Sequence, residues 1–160
     1  MIKCNTLGMI EISKNDPRLT AEADVTLYDF LVKDGVTYLI ANTLSGDDAY
    51  KDGVVIPKGE YLKGFMVDAW ENQALIIDAK HIAFGAGETY KDDIAAGKLL
   101  TIVTAGDATG KLAIAAQAPV DAGTVYCKVL EKCALTGDAV KAKVLVVPTA
   151  AGCADSGAES

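Results

Sequence analysis

A succession of apolar, β-rich runs between Gly97 and Val147, with turn chemistry between them, constrains this chain more than any other feature. Residues 98–104 (KLLTIVT) lead through Gly106, Asp107 and Gly110 into residues 111–116 (KLAIAA). After Pro119 and Gly123 comes the longest run, residues 124–133, and Thr136-Gly137-Asp138 folds it onto residues 140–147. Short strands at this spacing, joined by Gly/Asp turns, predict a meander closing toward a small barrel or sandwich. Alternation sharpens the reading. Val140, Ala142, Val144 and Val146 point one way and Lys141 and Lys143 the other, while Val125, Cys127 and Val129 oppose Tyr126, Lys128 and Lys132. That is a sheet with one wet face. Leu145 and Val147 break the polar face, so that end of the strand is expected to be covered.

The N-terminal half repeats the pattern less regularly. Residues 2–12 alternate loosely, as a strand or extended arm does, and Asp16-Pro17 has the chemistry of a short helix start. Residues 25–32 and 36–40 flank Lys33-Asp34-Gly35 and read as a hairpin. Residues 42–53 form a polar loop, and residues 54–56 and 61–67 flank Pro57-Lys58-Gly59 as a second strand–turn–strand. Between 68 and 84 a capping-box pattern at Asp68 and Glu71 competes with the compact apolar run 74–77, and the run favours a strand. Thr89 and Asp92 are placed to cap one helical turn that Gly97 ends. The predicted fold is therefore mainly β: a small antiparallel β-barrel or sandwich with hairpins, one or two short helical turns and an extended N-terminal arm. Its expected divisions are an arm with a short helix over 1–23, a β domain over 24–147 and an Ala/Gly/Ser-rich tail over 148–160 that is normally disordered. At 160 residues and 51% hydrophobic, the chain has enough apolar side chain for one real core.

Charge and composition exclude several classes of function. A net charge of −7 argues against direct nucleic-acid binding, which needs clustered Lys and Arg. No apolar run approaches the roughly 20 residues that span a bilayer. Glu11 and the lack of a long apolar centre also argue against a secretory signal, so synthesis and retention in a cytoplasm are expected. Cys4, Cys127, Cys133 and Cys153 form no C-x-x-C pair. On one extended strand Cys127 and Cys133 stand about 20 Å apart, beyond disulfide reach, so reduced, partly buried thiols are expected.

Each candidate chemistry has a plainer explanation. His81, the single histidine, has Asp78 nearby in sequence, but no nucleophile motif accompanies it, and a surface or turn position is expected. Zinc-ligand spacing is missing. Asp47, Asp48 and Asp52 lack the alternating calcium-loop pattern. Gly85-Ala86-Gly87 and Gly106–Gly110 precede no Lys-Ser/Thr helix, so turn formation explains both. Phe65, Tyr61, Trp70 and Tyr90 lack the basic neighbours of a stacking platform and suit core or interface packing. No catalytic, cofactor or metal site is predicted.

Residues 51–59 (KDGVVIPKG) leading into 61–67, then 95–100 (AAGKLL), 110–114 (GKLAI) and 123–132 (GTVYCKVLEK), resemble small β-rich capsid decoration (cement) proteins of tailed bacteriophages. The resemblance spans about residues 50–147. It implies a non-enzymatic virion protein that stabilises the head from the capsid exterior, often as a homotrimer, with the major capsid protein as partner. The expected capsid or protomer contacts are Ile2, Met9, Ile10, Tyr61, Trp70, Leu145 and Val147, with residues 1–12 adding to a neighbour's sheet or lying on the shell. A head-fibre or tail-associated β-barrel domain is the nearest alternative, and a small ligand-binding or enzymatic β-barrel is the rival from another class.

Overall fold

The computed structural model describes residues 2–4, 19–42, 53–67, 74–133 and 143–152. The predicted helix start at Asp16-Pro17, the acidic loop 47–52, the Asp68/Glu71 capping box and the turn at 136–138 fall outside these residues.

Among the described residues the protein is mainly β, 44% strand and 6% helical, and the expected fold class is met. In chain order the elements are β1 Ile2–Cys4, β2 Val25–Thr26, β3 Phe30–Lys33, β4 Val36–Ile40, β5 Val55–Ile56, β6 Gly64–Met66, β7 Leu75–Asp78, β8 Ile82–Ala83, α1 Tyr90–Asp93, β9 Leu99–Ile102, β10 Leu112–Ala115, β11 Val125–Cys133 and β12 Lys143–Ala150. Seven strands build one sheet in the order β1-β7-β12-β11-β9-β10-β8, curled as a half-barrel. Its inner face carries Leu75, Ile77, Val144, Val146, Leu100 and Leu112, each 0% exposed. Burying such a side chain contributes about 1.5–3 kcal/mol, so this face is the main source of cohesion.

A three-stranded sheet, β3-β4-β6, lies against that face. Phe30, Leu39, Phe65 and Val67 join the main core from one side of it. Leu31, Tyr38 and Ile40 join a second core with Leu19, Leu27, Ile56 and Leu62 from the other. The short β2-β5 pair closes that second core. The middle sheet is apolar on both faces because each face has its own core to fill.

Several expected elements form as read. Asp34 and Gly35 both take positive φ, 52° and 78°, which the two-residue type I′ turn of the β3-β4 hairpin requires. Leu75–Asp78 is a strand and not a helix. Thr89 caps α1, its side chain accepting from the Asp92 backbone N–H.

Other pairings differ from the sequence reading. β11 pairs with β9, and β10 stands on the far side of β9, so the C-terminal strands are not a simple meander. The connection from Ala116 to Thr124 is long enough to cross over, and β9 offers two hydrogen-bonding edges. β8 and β10 pair in parallel. The turn at Pro57–Gly59 does not close a hairpin, since β5 pairs with β2 and β6 with β4. The run 25–32 is broken at Tyr28, whose φ is +70°.

A register shift between Val129 and Glu131 bulges β11, leaving Leu130 43% exposed. Lys132 is thereby set opposite Val144, off the face of Tyr126 and Lys128 where alternation had placed it. Its ammonium stands 5.4 Å from the Tyr90 ring centroid.

The last strand also continues past its expected end at Val147. β12 runs through Pro148 to Ala150, with Pro148 opposite Cys127. Proline is tolerated there because β7 pairs with Lys143–Val146, and among the described residues no strand pairs with the far side of β12 at Pro148.

Candidate functional site

The break at Tyr28 organises the most distinctive chemistry in the molecule. Residues 27–30 leave β2 and enter β3 through a left-handed residue, and backbone bonds fix the kink. Tyr28 N donates to Ile40 O at 2.8 Å, Asp29 N to Thr26 O at 3.1 Å, and Phe30 N to Gly110 O at 2.7 Å. Left-handed backbone is costly for a tyrosine and persists only where surrounding contacts hold it. The kink turns Asp29 inward. Its side chain is 5% exposed and meets His81, also 5% exposed, at 2.9 Å between Oδ1 and Nδ1.

His81 ends the 3₁₀ turn Ala79–His81 that follows β7. A carboxylate only accepts hydrogen bonds, so the Nδ1 proton is the one donated to Asp29. The Tyr28 ring meets the imidazole edge-on, 6.4 Å between centroids at 87°. Nε2 is buried and has no hydrogen-bond partner among the described residues. The histidine therefore does sit on a turn, but it is not at the surface. Its partner is not the nearby Asp78, which binds Lys143 at 2.8 Å instead. Fifty-two residues separate Asp29 from His81, so no sequence spacing announced the pair.

Asp29 also lines a cavity of about 480 Å³ between residues 20–33 and the 106–111 turn. That volume is within the range of small-ligand clefts. One wall is the consecutive stretch Asp29–Lys33, and the other is the Gly106–Lys111 turn. Gly110 joins the walls so closely that an added Cβ would lie 2.9 Å from both Asp29 Cβ and Phe30 O. The glycine turn identified from sequence thus also braces the kink.

The predicted contact residues that the structure describes are scattered. Tyr61 is 69% exposed, mounted on a backbone fixed by its bridge to Thr20 and by the Asn42 side-chain amide, which donates to Tyr61 O at 2.9 Å. Leu145 and Val147 are half-buried on the outer face of the large sheet, beside Ile76 and Lys128 in register. Ile2 stands opposite Ile77 in β1, so the first three described residues extend this chain's own sheet. Met9, Ile10 and Trp70 lie outside the described residues. Of the four aromatics, the three described ones serve different surfaces. Phe65 and Tyr90 pack against the main core, and the Tyr90 hydroxyl donates to Lys143 O at 2.9 Å.

Cys127 is free and fully buried, and desolvation pushes its thiol up to about 12. Such a thiol is a core side chain, not a nucleophile at neutral pH. Among the described residues no three His, Cys, Asp or Glu side chains converge as a metal site, and no helix is long and apolar enough to cross a membrane.

No protein-family model, curated protein or solved structure matches this chain.

Proposed function

We propose that this chain is a structural virion protein, bound to the outer surface of a bacteriophage capsid and stabilising the shell as a decoration protein without catalysis. Its partners in this reading are the major capsid protein and two further copies of itself. The supporting observation is Tyr61. A large aromatic side chain held 69% exposed on an immobilised backbone has the character of an interface anchor. Tyrosine combines a large contact area with few rotatable bonds, so little entropy is lost on docking. A body braced by two apolar cores suits a load-bearing role, and repetition over a lattice lets each contact remain modest.

The test is co-sedimentation of the purified protein with expanded capsid shells. Tyr61→Ala is expected to lower occupancy at least several-fold while the unfolding midpoint stays unchanged. Removal of residues 1–15 probes the arm in the same assay. Wild-type protein that fails to sediment with shells, or that turns over a substrate, overturns the proposal.

A further inference from the structure

The cavity beside β3 has the features of a groove for an extended chain. In a two-residue hairpin the residues flanking the turn exchange hydrogen bonds, so Lys33 bonds Val36, and Leu31 bonds Tyr38 two residues on. Phe30 and Val32 therefore turn their backbone groups away from β4. Phe30 shows this directly, since its N–H reaches Gly110 O. Beyond that bond the edge of β3 faces the cavity, with the Val32 side chain 44% exposed. An edge strand with outward N–H and C=O groups is a template for one more strand.

The lining also selects by charge. It carries the carboxylates of Glu22, Asp24, Asp29 and Asp107 against the ammoniums of Lys33 and Lys111. Lys33 already pairs with Glu22 at 3.0 Å. Asp29 is the independent feature, a carboxylate of 5% exposure at the cavity wall, oriented from behind by His81. His81 occupies one lone pair of a group that has about four accepting sites. The apolar parts of Val25, Phe30 and Leu31 also line the space. The alkyl stem of a long basic side chain covers such surface while its head reaches a carboxylate.

We infer that this groove docks an extended segment of a partner protein, pairing as a strand with the β3 edge and placing an arginine or lysine side chain against Asp29. The inference rests on the decoration reading only in taking the occupant to be a protein segment; Tyr61 is not among the residues that line the groove, and the test uses no particles. Isotope-labelled full-length protein is titrated with the pentapeptide acetyl-Thr-Val-Arg-Val-Thr-amide, and with the same peptide carrying citrulline or glutamate at the centre. The arginine peptide is expected to shift the amide resonances of Val32, Thr109 and Lys111. Citrulline, which keeps the shape and loses the charge, is expected to weaken binding about tenfold, as loss of a charge-assisted hydrogen bond does. Asp107→Asn, an exposed change, is expected to weaken the arginine peptide several-fold without moving the unfolding midpoint, and Val32→Pro to abolish strand pairing. Equal binding of the three peptides, shifts mapping elsewhere, no binding at millimolar peptide, or unchanged affinity in both variants each overturns the inference. Shell co-sedimentation of wild-type protein reports separately on the decoration role.

Discussion

Gly110 offers the sharpest test of how the kink is held. Its φ is +90°, and a Cβ placed there meets Asp29 Cβ and Phe30 O, both at 2.9 Å. The turn cannot simply recede. Gly110 N donates to Val103 O at 2.8 Å, and Gly110 O accepts from Phe30 N at 2.7 Å. Gly110→Ala therefore carries two penalties: about 1–2 kcal/mol for left-handed backbone at a residue with a side chain, and about 1–3 kcal/mol for overpacking against atoms that are themselves bonded. Gly106 supplies the control, with φ +83° and nothing within 4 Å of an added Cβ. Gly106→Ala pays only the first penalty. The measurement is urea unfolding of both variants at constant m-value, with thermal midpoints alongside. For a chain of this length each kcal/mol moves the midpoint by about 2–4 °C, so Gly110→Ala is expected to fall by roughly 4–20 °C. Equal destabilisation of the two variants, to within about 0.5 kcal/mol, refutes the argument that close approach to Asp29 and Phe30 is what requires glycine.

The buried pair is expected to dominate the exposed one. Asp29→Ala leaves His81 buried without its partner and should cost about 3–5 kcal/mol in urea unfolding. Lys33→Ala, whose partner Glu22 is 79% exposed, should cost below about 1 kcal/mol; a reversed order would show that the kink is held by something else. Cys127, its thiol raised to about 12, is expected to resist iodoacetamide at pH 8 in the folded protein and to react on unfolding, as followed by peptide mapping. Labelling at the rate of an exposed thiol would mean that the core opens readily. Burial raises the Asp78 carboxyl pKa, but the positive charge beside it, Lys143 first, outweighs burial and leaves it below 3.8. A depressed carboxyl stabilises the fold above its unfolded value and loses that contribution as pH falls through the lower folded one. Acid unfolding curves of wild type and Asp78→Asn should accordingly converge below pH 3.8 and separate above it, and parallel curves throughout would contradict the pairing.

The local chemistry of this chain was legible residue by residue. Asp34-Gly35 specified a type I′ turn, because few other pairs accept two positive φ values in succession. Alternating valines in 125–129 and 144–146 identified the buried face, because side chains alternate strictly along a strand and only one side meets the core. The Thr89 cap and the strand at 75–78 were readable for the same reason: both depend on residues within a few positions of one another.

What the sequence did not disclose is everything that depends on residues far apart. Strand order is one case. Leu99–Ile102 can pair on either edge, and only the assembled sheet puts β10 on one side and β11 on the other. The bulge that turns Lys132 to the other face is another, since a one-residue slip leaves no compositional trace. The Asp29–His81 pair is the clearest. Asp29 lay within an ordinary β-prone run and His81 beside a different aspartate, and the left-handed Tyr28, braced by Gly110, brings them to 2.9 Å. Turn and strand preferences act over a few residues and can be read along the chain. Which edges join and which polar groups are buried together follow from filling both cores at once, and that balance exists only in the folded protein.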